Sequence, residues 1–122
     1  MYRLSVEEHF DAAHYLRYYH GKCENLHGHR FRVVVYLESA ELDEAGLACD
    51  FAVIKKYLRE SIAPFDHACL NDVAPFDKVE PSCENIASVI YDKLQACLSS
   101  SPAKLACVEV WESPTSGVAY YP

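Results

Sequence analysis

The sequence predicts an α+β domain with two helices on one face of an antiparallel sheet. Three observations lead there. Residues 29–38 alternate between two faces with period two, the patterning of a strand. Two later stretches place apolar residues at helical spacing behind an Asp or a Ser that can cap them. Apolar strand patterning then returns after residue 103.

Residues 2–10 read as the first strand. In the second, residues 29–38, Phe31, Val33, Val35 and Leu37 alternate with Arg30, Arg32, Val34 and Tyr36, which puts His29 on the Phe31 face. Residues 38–46 are an acidic connection, and Leu47–Cys49 reads as a short strand. Asp50 is placed to cap a helix with Phe51, Ile54, Tyr57, Leu58 and Ile62 on one face. Pro64 stops it. A polar loop runs to Pro81, and Ser82 caps a second helix with Ile86, Val89, Ile90, Leu94 and Cys97 on one side. The Ser99–Pro102 segment breaks that helix. Residues 104–112 form another strand and Val118–Tyr121 a last short one. No repeat, linker or low-complexity segment interrupts this order.

A length of 122 residues allows one domain, residues 1–122, with a modest core. No apolar run approaches the length of a membrane span. The first residues carry Arg3, Glu7 and Glu8 and lack the apolar core of a secretion signal, so the expected location is cytoplasmic. A net charge of -7 argues against nonspecific nucleic-acid binding, which needs a basic footprint. It leaves room for an anionic small substrate, because Arg17, Lys22, Arg30 and Arg32 surround a cluster of histidines. Arg17, Lys22 and Arg30 are candidate phosphate contacts. The six cysteines are irregularly spaced, and a disulfide framework suits a shorter secreted chain. Cys49, Cys97 and Cys107 stand in apolar contexts, as small core residues do.

The chemistry concentrates between residues 14 and 29, which hold His14, His20, Cys23, His27 and His29. His27 and His29 are spaced i, i+2, so on a strand both point to one face. His14, at the end of the first strand, is the better third imidazole; His20 lies in a tyrosine-rich loop. Three imidazoles with one open position are the pattern of a catalytic zinc site, with ligands at about 2.0–2.1 Å. A His-x-His pair alone equally describes two half-exposed strand residues. Cys23 sits in a polar loop beside Lys22, where a cation and an imidazole would have to lower a thiol pKa from about 8.5 for work at neutral pH.

Three other places could carry chemistry. Asp66–His67 could tune a proton relay, although adjacent Asp-His pairs also arise by chance as surface polarity. Along the last long strand Ala106, Val108, Val110 and Glu112 share a face, so a carboxylate ends an apolar row, with Glu109 opposite. Glu112 could accept two hydrogen bonds from an amidine-like edge or simply meet water at a frayed end. Ser113-Pro-Thr115-Ser-Gly reads as a turn whose hydroxyls satisfy its own backbone.

Taken in order, Phe10-x-Ala-Ala-His14, Cys23-x3-His27-Gly-His29, Asp50-Phe51, Phe65-Asp66-His67-x2-Leu70-Asn71, Glu84-Asn85 and Trp111-Glu112-x-Pro-Thr115 resemble the 6-pyruvoyl-tetrahydropterin synthase superfamily. The three residues between Cys23 and His27 resemble its 6-carboxy-tetrahydropterin synthase branch; the pyruvoyl-forming branch usually has five. The resemblance implies the tunnelling fold, a four-stranded antiparallel sheet with two helices on one face. It also implies trimers that stack as a homohexamer, with active sites between subunits. The implied reaction converts 7,8-dihydroneopterin triphosphate to 6-carboxy-5,6,7,8-tetrahydropterin, acetaldehyde and triphosphate, early in the biosynthesis of queuosine and other 7-deazapurines.

By the same resemblance His14, His27 and His29 would hold Zn2+, Cys23 would move a proton, His67 oriented by Asp66 would relay it, and Glu112 would anchor the pterin ring. Phe65 replaces the usual leucine, an apolar exchange. Glu24 is the more consequential departure. A related branch uses a glutamate at this spacing as its acid-base group to make 6-hydroxymethyl-dihydropterin for folate, so Glu24 is an alternative or auxiliary acid-base residue, or a solvated loop residue. A structural zinc module is the non-enzyme alternative, with Cys23 as a fourth ligand closing the site.

Overall fold

The computed structural model describes residues 1–98 and 101–122. Strand β1 (Tyr2–His14) pairs antiparallel with β2 (His27–Ser39) without a break, from Tyr2 opposite Ser39 to His14 opposite His27. Helix α1 (Phe51–Ile62) follows, then β3 (Ala68–Cys69), α2 (Cys83–Leu98), β4 (Lys104–Ser113) and β5 (Ser116–Tyr120). The sheet runs β3-β1-β2-β4-β5. Four strands are antiparallel as expected; the fifth, β3, adds two residues parallel to β1. This is the α+β architecture of the tunnelling fold. No helix among the described residues is long and apolar enough to cross a membrane.

Both helices cover one face. α1 packs on β1 and on α2, and α2 packs on β4 and β5. Asp50 caps α1 as its sequence position suggests, its carboxylate accepting from the Ala52 amide at 2.8 Å. Ile54, Leu58 and Ile62 face inward, whereas Phe51, in the first turn, is exposed. Ser82 Oγ accepts from the Asn85 amide at the start of α2. Cys97, expected inside, is exposed, and Leu98 is buried instead. The proposed break at Ser99–Pro102 falls in part on residues 99 and 100, outside the described residues.

Three local readings are corrected. Leu47–Cys49 forms no strand; the short strand is β3, held where Asp66 and His67 bond to the β1 backbone. The supposedly polar loop before Pro81 sends Phe65, Leu70 and Phe76 into the core, with Phe65 and Phe76 rings 5.3 Å apart. A bulge in β4 leaves Ala106 without a partner, so Leu105 rather than Ala106 faces the core opposite Leu37. Gly117 lies opposite Trp111, and a Cβ there would come within 2.3 Å of the Trp111 ring.

Candidate active site

The β1–β2 register builds the centre. His14 stands opposite His27, and His29 stands opposite Ala12, two residues away on the same face. The imidazole centroids are 4.6 Å apart for His14–His27, 4.8 Å for His27–His29 and 5.2 Å for His14–His29. One ligand atom from each falls within 4.8 Å of the other two. His14 Nδ1 donates to the Pro81 carbonyl at 2.7 Å and His27 Nδ1 to the Asn25 carbonyl at 2.6 Å. A carbonyl only accepts, so these bonds fix the tautomers and leave each Nε2 lone pair free.

The Nε2 atoms of His14 and His29 are buried and have no hydrogen-bond partner. Burial is the largest influence on both rings and pushes their pKa values below the usual imidazole value, while the Glu112 carboxylate pulls the other way. Neutral rings with orphaned nitrogens are what a borderline-soft divalent cation requires. The donor set therefore fits a metal ion. His20 is exposed and takes no part.

Next to the trio lies a cavity of about 260 Å3 whose lining includes His14, Cys23, Cys83, Glu84 and Glu112. Cys23 reaches it from a short 3-10 turn, Lys22–Glu24. Glu112 reaches it through a second β4 bulge: Trp111 pairs with Gly117 and Ser113 with Ser116, so Glu112 is the extra residue. A bulge re-aims a side chain. Its Oε2 lies 3.7 Å from His29 Nε2 and accepts from Cys83 Sγ at 3.6 Å.

Cys83 and Glu84 were not singled out as site residues by sequence reasoning. The signal was their position beside the Ser82 cap, where the first turn of α2 faces the end of β4. Burial and the Glu112 carboxylate push the Cys83 thiol up to about 12. It is therefore a donor, not a nucleophile.

Asp66 and His67 are joined by a 3.1 Å contact between Oδ2 and Nδ1. Asp66 Oδ1 also accepts from the Asp11 amide at 3.0 Å, and this bond is the main reason its carboxyl lies below the usual range. His67 has a φ of 59°, rare for a residue with a Cβ, and its own amide donates to the Asp11 carbonyl at 2.6 Å. His67, without Asp66, lines a different cavity, about 560 Å3, together with Asp11, Gly28, His29 and Arg30. Within one chain Cys23 and His67 thus face separate spaces.

Glu24 is half-exposed, 3.8 Å from His20, and is not part of the Cys23 cavity lining. Arg17 is committed elsewhere. Its guanidinium donates to the Phe76, Asn71 and Val79 carbonyls and to Glu80, tying the 71–80 segment to the end of β1. The Ser113 hydroxyl accepts from the Thr115 and Ser116 amides, so it serves the turn.

The fold and this convergence define a class: tunnelling-fold proteins with three histidines that could hold a cation beside a thiol and a carboxylate. The family model for 6-pyruvoyl tetrahydropterin synthase matches residues 3–122. The 6-carboxy-5,6,7,8-tetrahydropterin synthase of Bacillus subtilis is 35% identical over 99% of this chain and 86% of its own. The protein of the same name from Synechocystis is 37% identical over 99% of this chain and 94% of its own. The structure of Caenorhabditis elegans 6-pyruvoyl tetrahydropterin synthase superposes with a TM-score of 0.89 at 29% identity, over 99% of this chain and 95% of that one. The chain belongs to the 6-pyruvoyl tetrahydropterin synthase family.

Proposed function

We propose that this protein is a zinc-dependent lyase that converts 7,8-dihydroneopterin triphosphate to 6-carboxy-5,6,7,8-tetrahydropterin, acetaldehyde and triphosphate. The observation that carries the reading is the trio of His14, His27 and His29, with orphaned Nε2 atoms, opening beside a cavity that Cys23 and Glu112 also line. The family resemblance of Cys23-x3-His27-Gly-His29 supports the carboxy-forming reaction over the pyruvoyl-forming one.

His14, His27 and His29 would hold Zn2+. When bound, the metal supplies Lewis acidity toward the side-chain oxygens of the substrate. Glu112 accepts hydrogen bonds from the amino group and ring nitrogen of the pterin, a pairing of carboxylate with an amidine-like edge. Cys23 moves a proton at the side-chain carbon next to the ring. His67 relays that proton, with Asp66 fixing its Nδ1 tautomer and the backbone of Asp11 fixing Asp66.

Because Cys23 and His67 face separate cavities within one chain, the complete site takes its relay from a second copy. The sheet offers β3 and β5 as edges for such an assembly, and the reading expects a homohexamer built from two trimers. A structural zinc module is disfavoured, because Cys23 is not among the groups whose ligand atoms converge with the trio.

The test is a product assay. Zinc-loaded protein is incubated with 7,8-dihydroneopterin triphosphate, and pterins are identified by mass spectrometry for wild type, Cys23→Ala and Glu24→Ala. The reading expects 6-carboxy-tetrahydropterin, abolished by Cys23→Ala alone. A 6-hydroxymethyl-dihydropterin product that depends on Glu24 would assign the folate-type cleavage instead.

A further inference from the structure

The sheet face turned away from the helices carries a second recess, about 330 Å3, lined by His9, Arg30, Arg32, Trp111, Ser113 and Pro114. Its lining holds three basic groups and no acid, in a chain whose net charge is -7. The register explains this concentration. His9, Arg32 and Trp111 form one row across β1, β2 and β4, and Arg30 lies two residues along β2 on the same face. The Arg32 guanidinium stacks over Trp111, 5.2 Å from the ring centroid, which holds its fork in place.

Three acids share this face, and Asp11 lines the His67 recess. Glu7 lies 4.0 Å from Arg32, a long and exposed contact. Asp11 stands opposite Arg30 in the register, and Glu109 accepts from the Trp111 indole. Among the described residues Arg30 has no carboxylate within 4.0 Å. Arg30 also lines the His67 cavity, so the two recesses adjoin at Arg30.

We infer that this pair of recesses, from His67 past Arg30 to Arg32 and His9, binds the polyphosphate tail of the substrate. The deduction rests on the lyase reading. The subunit that supplies the Asp66–His67 relay then supplies the phosphate site as well, while its neighbour supplies the metal, Cys23 and Glu112. Arg30 and Arg32 sit about 6.6 Å apart along the strand, a spacing that suits several linked phosphates. Each guanidinium can grip phosphate oxygens with two parallel hydrogen bonds.

The experiment is calorimetry with inorganic triphosphate on the zinc-loaded protein. It compares wild type, Arg30→Gln, R30Q/R32Q, and K78Q/K104Q as a control of equal charge change. Steady-state kinetics with dihydroneopterin triphosphate follow on the same proteins. R30Q/R32Q is expected to weaken triphosphate binding by roughly tenfold or more and to raise KM similarly with little change in kcat, and Arg30→Gln to lose an intermediate amount. K78Q/K104Q is expected to stay close to wild type. Unchanged triphosphate affinity in R30Q/R32Q, or an equal loss in K78Q/K104Q, overturns the inference. If products form with an unchanged KM in R30Q/R32Q, the phosphate site fails and the lyase stands. If triphosphate binding is lost as expected but wild type forms no pterin product, the anion site stands and the lyase fails. Should R30Q/R32Q melt early, Arg30→Gln at its exposed position decides the matter.

Discussion

Replacing Phe31 with alanine tests whether the histidine trio rests on the core beneath it. Phe31 is fully buried and stacks on Phe10 with centroids 4.9 Å apart. Its ring also meets His14 edge-on at 5.3 Å and His29 at 5.5 Å. The substitution removes a whole aromatic side chain from a packed interior and costs about 3–5 kcal/mol, the aromatic contacts favouring the upper half. A domain of this size loses roughly 4 °C of Tm per kcal/mol, so the metal-free protein should melt some 12–20 °C lower. The cavity also frees His14 and His29 to tilt, so the variant should gain less Tm from zinc than wild type does. The assay is a pair of thermal melts, with chelator and with excess zinc, at one fixed protein concentration because assembly affects Tm. A loss below about 1.5 kcal/mol, or an undiminished zinc gain, would refute the claim that this ring supports the ligands.

Other outcomes follow from the same geometry. Cys23→Ala should retain zinc stoichiometry and Tm while losing turnover; loss of zinc together with folding would restore the structural-zinc alternative. Cys83, pushed up to about 12, should resist iodoacetamide at pH 9 in the native protein yet react once denatured. Glu112→Gln removes the negative charge that helps hold that thiol neutral, so native labelling should then begin at lower pH, as mass spectrometry can follow. Because the folded thiol stays protonated where the unfolded one ionises, its contribution to stability is complete below about pH 8.5 and declines as pH rises toward the folded value. Gly117→Ala drives a Cβ to within 2.3 Å of Trp111 and should cost about 1–3 kcal/mol in a denaturant titration. Finally, inactive Cys23→Ala and inactive His67→Ala subunits, unfolded and refolded together, should regain activity that neither has alone; no recovery would place both residues in one subunit's site.

The parts of this molecule that depend on local spacing were legible before any coordinates. Period-two alternation placed β2 and turned His27 and His29 the same way, and Asp50 and Ser82 marked the two helix starts. What sequence periodicity missed depends on irregularity or on distance along the chain. The bulge at Ala106 breaks the alternation that a strict count assumes, and it moves Leu105 into the core. β3 is too short to carry a pattern and exists through bonds to β1 across more than 50 residues. Phe65 and Phe76 are buried from a segment rich in turn residues, where no periodicity announces them. Cys83 gained meaning only when α2 and the end of β4 came together.

The same contrast explains why the Asp66–His67 pair lies where it does. A backbone with φ of 59° at His67 is costly for a side chain with a Cβ and must be held by its surroundings. Asp11 lies just before the two-residue ladder of β1 with β3, so its amide and carbonyl are free of strand pairing on that side, and they bind Asp66 Oδ1 and the His67 amide. A ladder continued through Asp11 would have spent those groups on a neighbouring strand. The unpaired side of Asp11 thus fixes the Asp66–His67 pair rigidly while leaving the imidazole largely exposed, its side chain at 78%. Glu112 solves the same problem differently: its bulge re-aims a carboxylate into the Cys23 cavity where β4 and β5 fall out of register. Both devices use a defect in the ladder to free a functional group. They lie toward opposite sides of the sheet, His67 beside β3 and Glu112 beside β5.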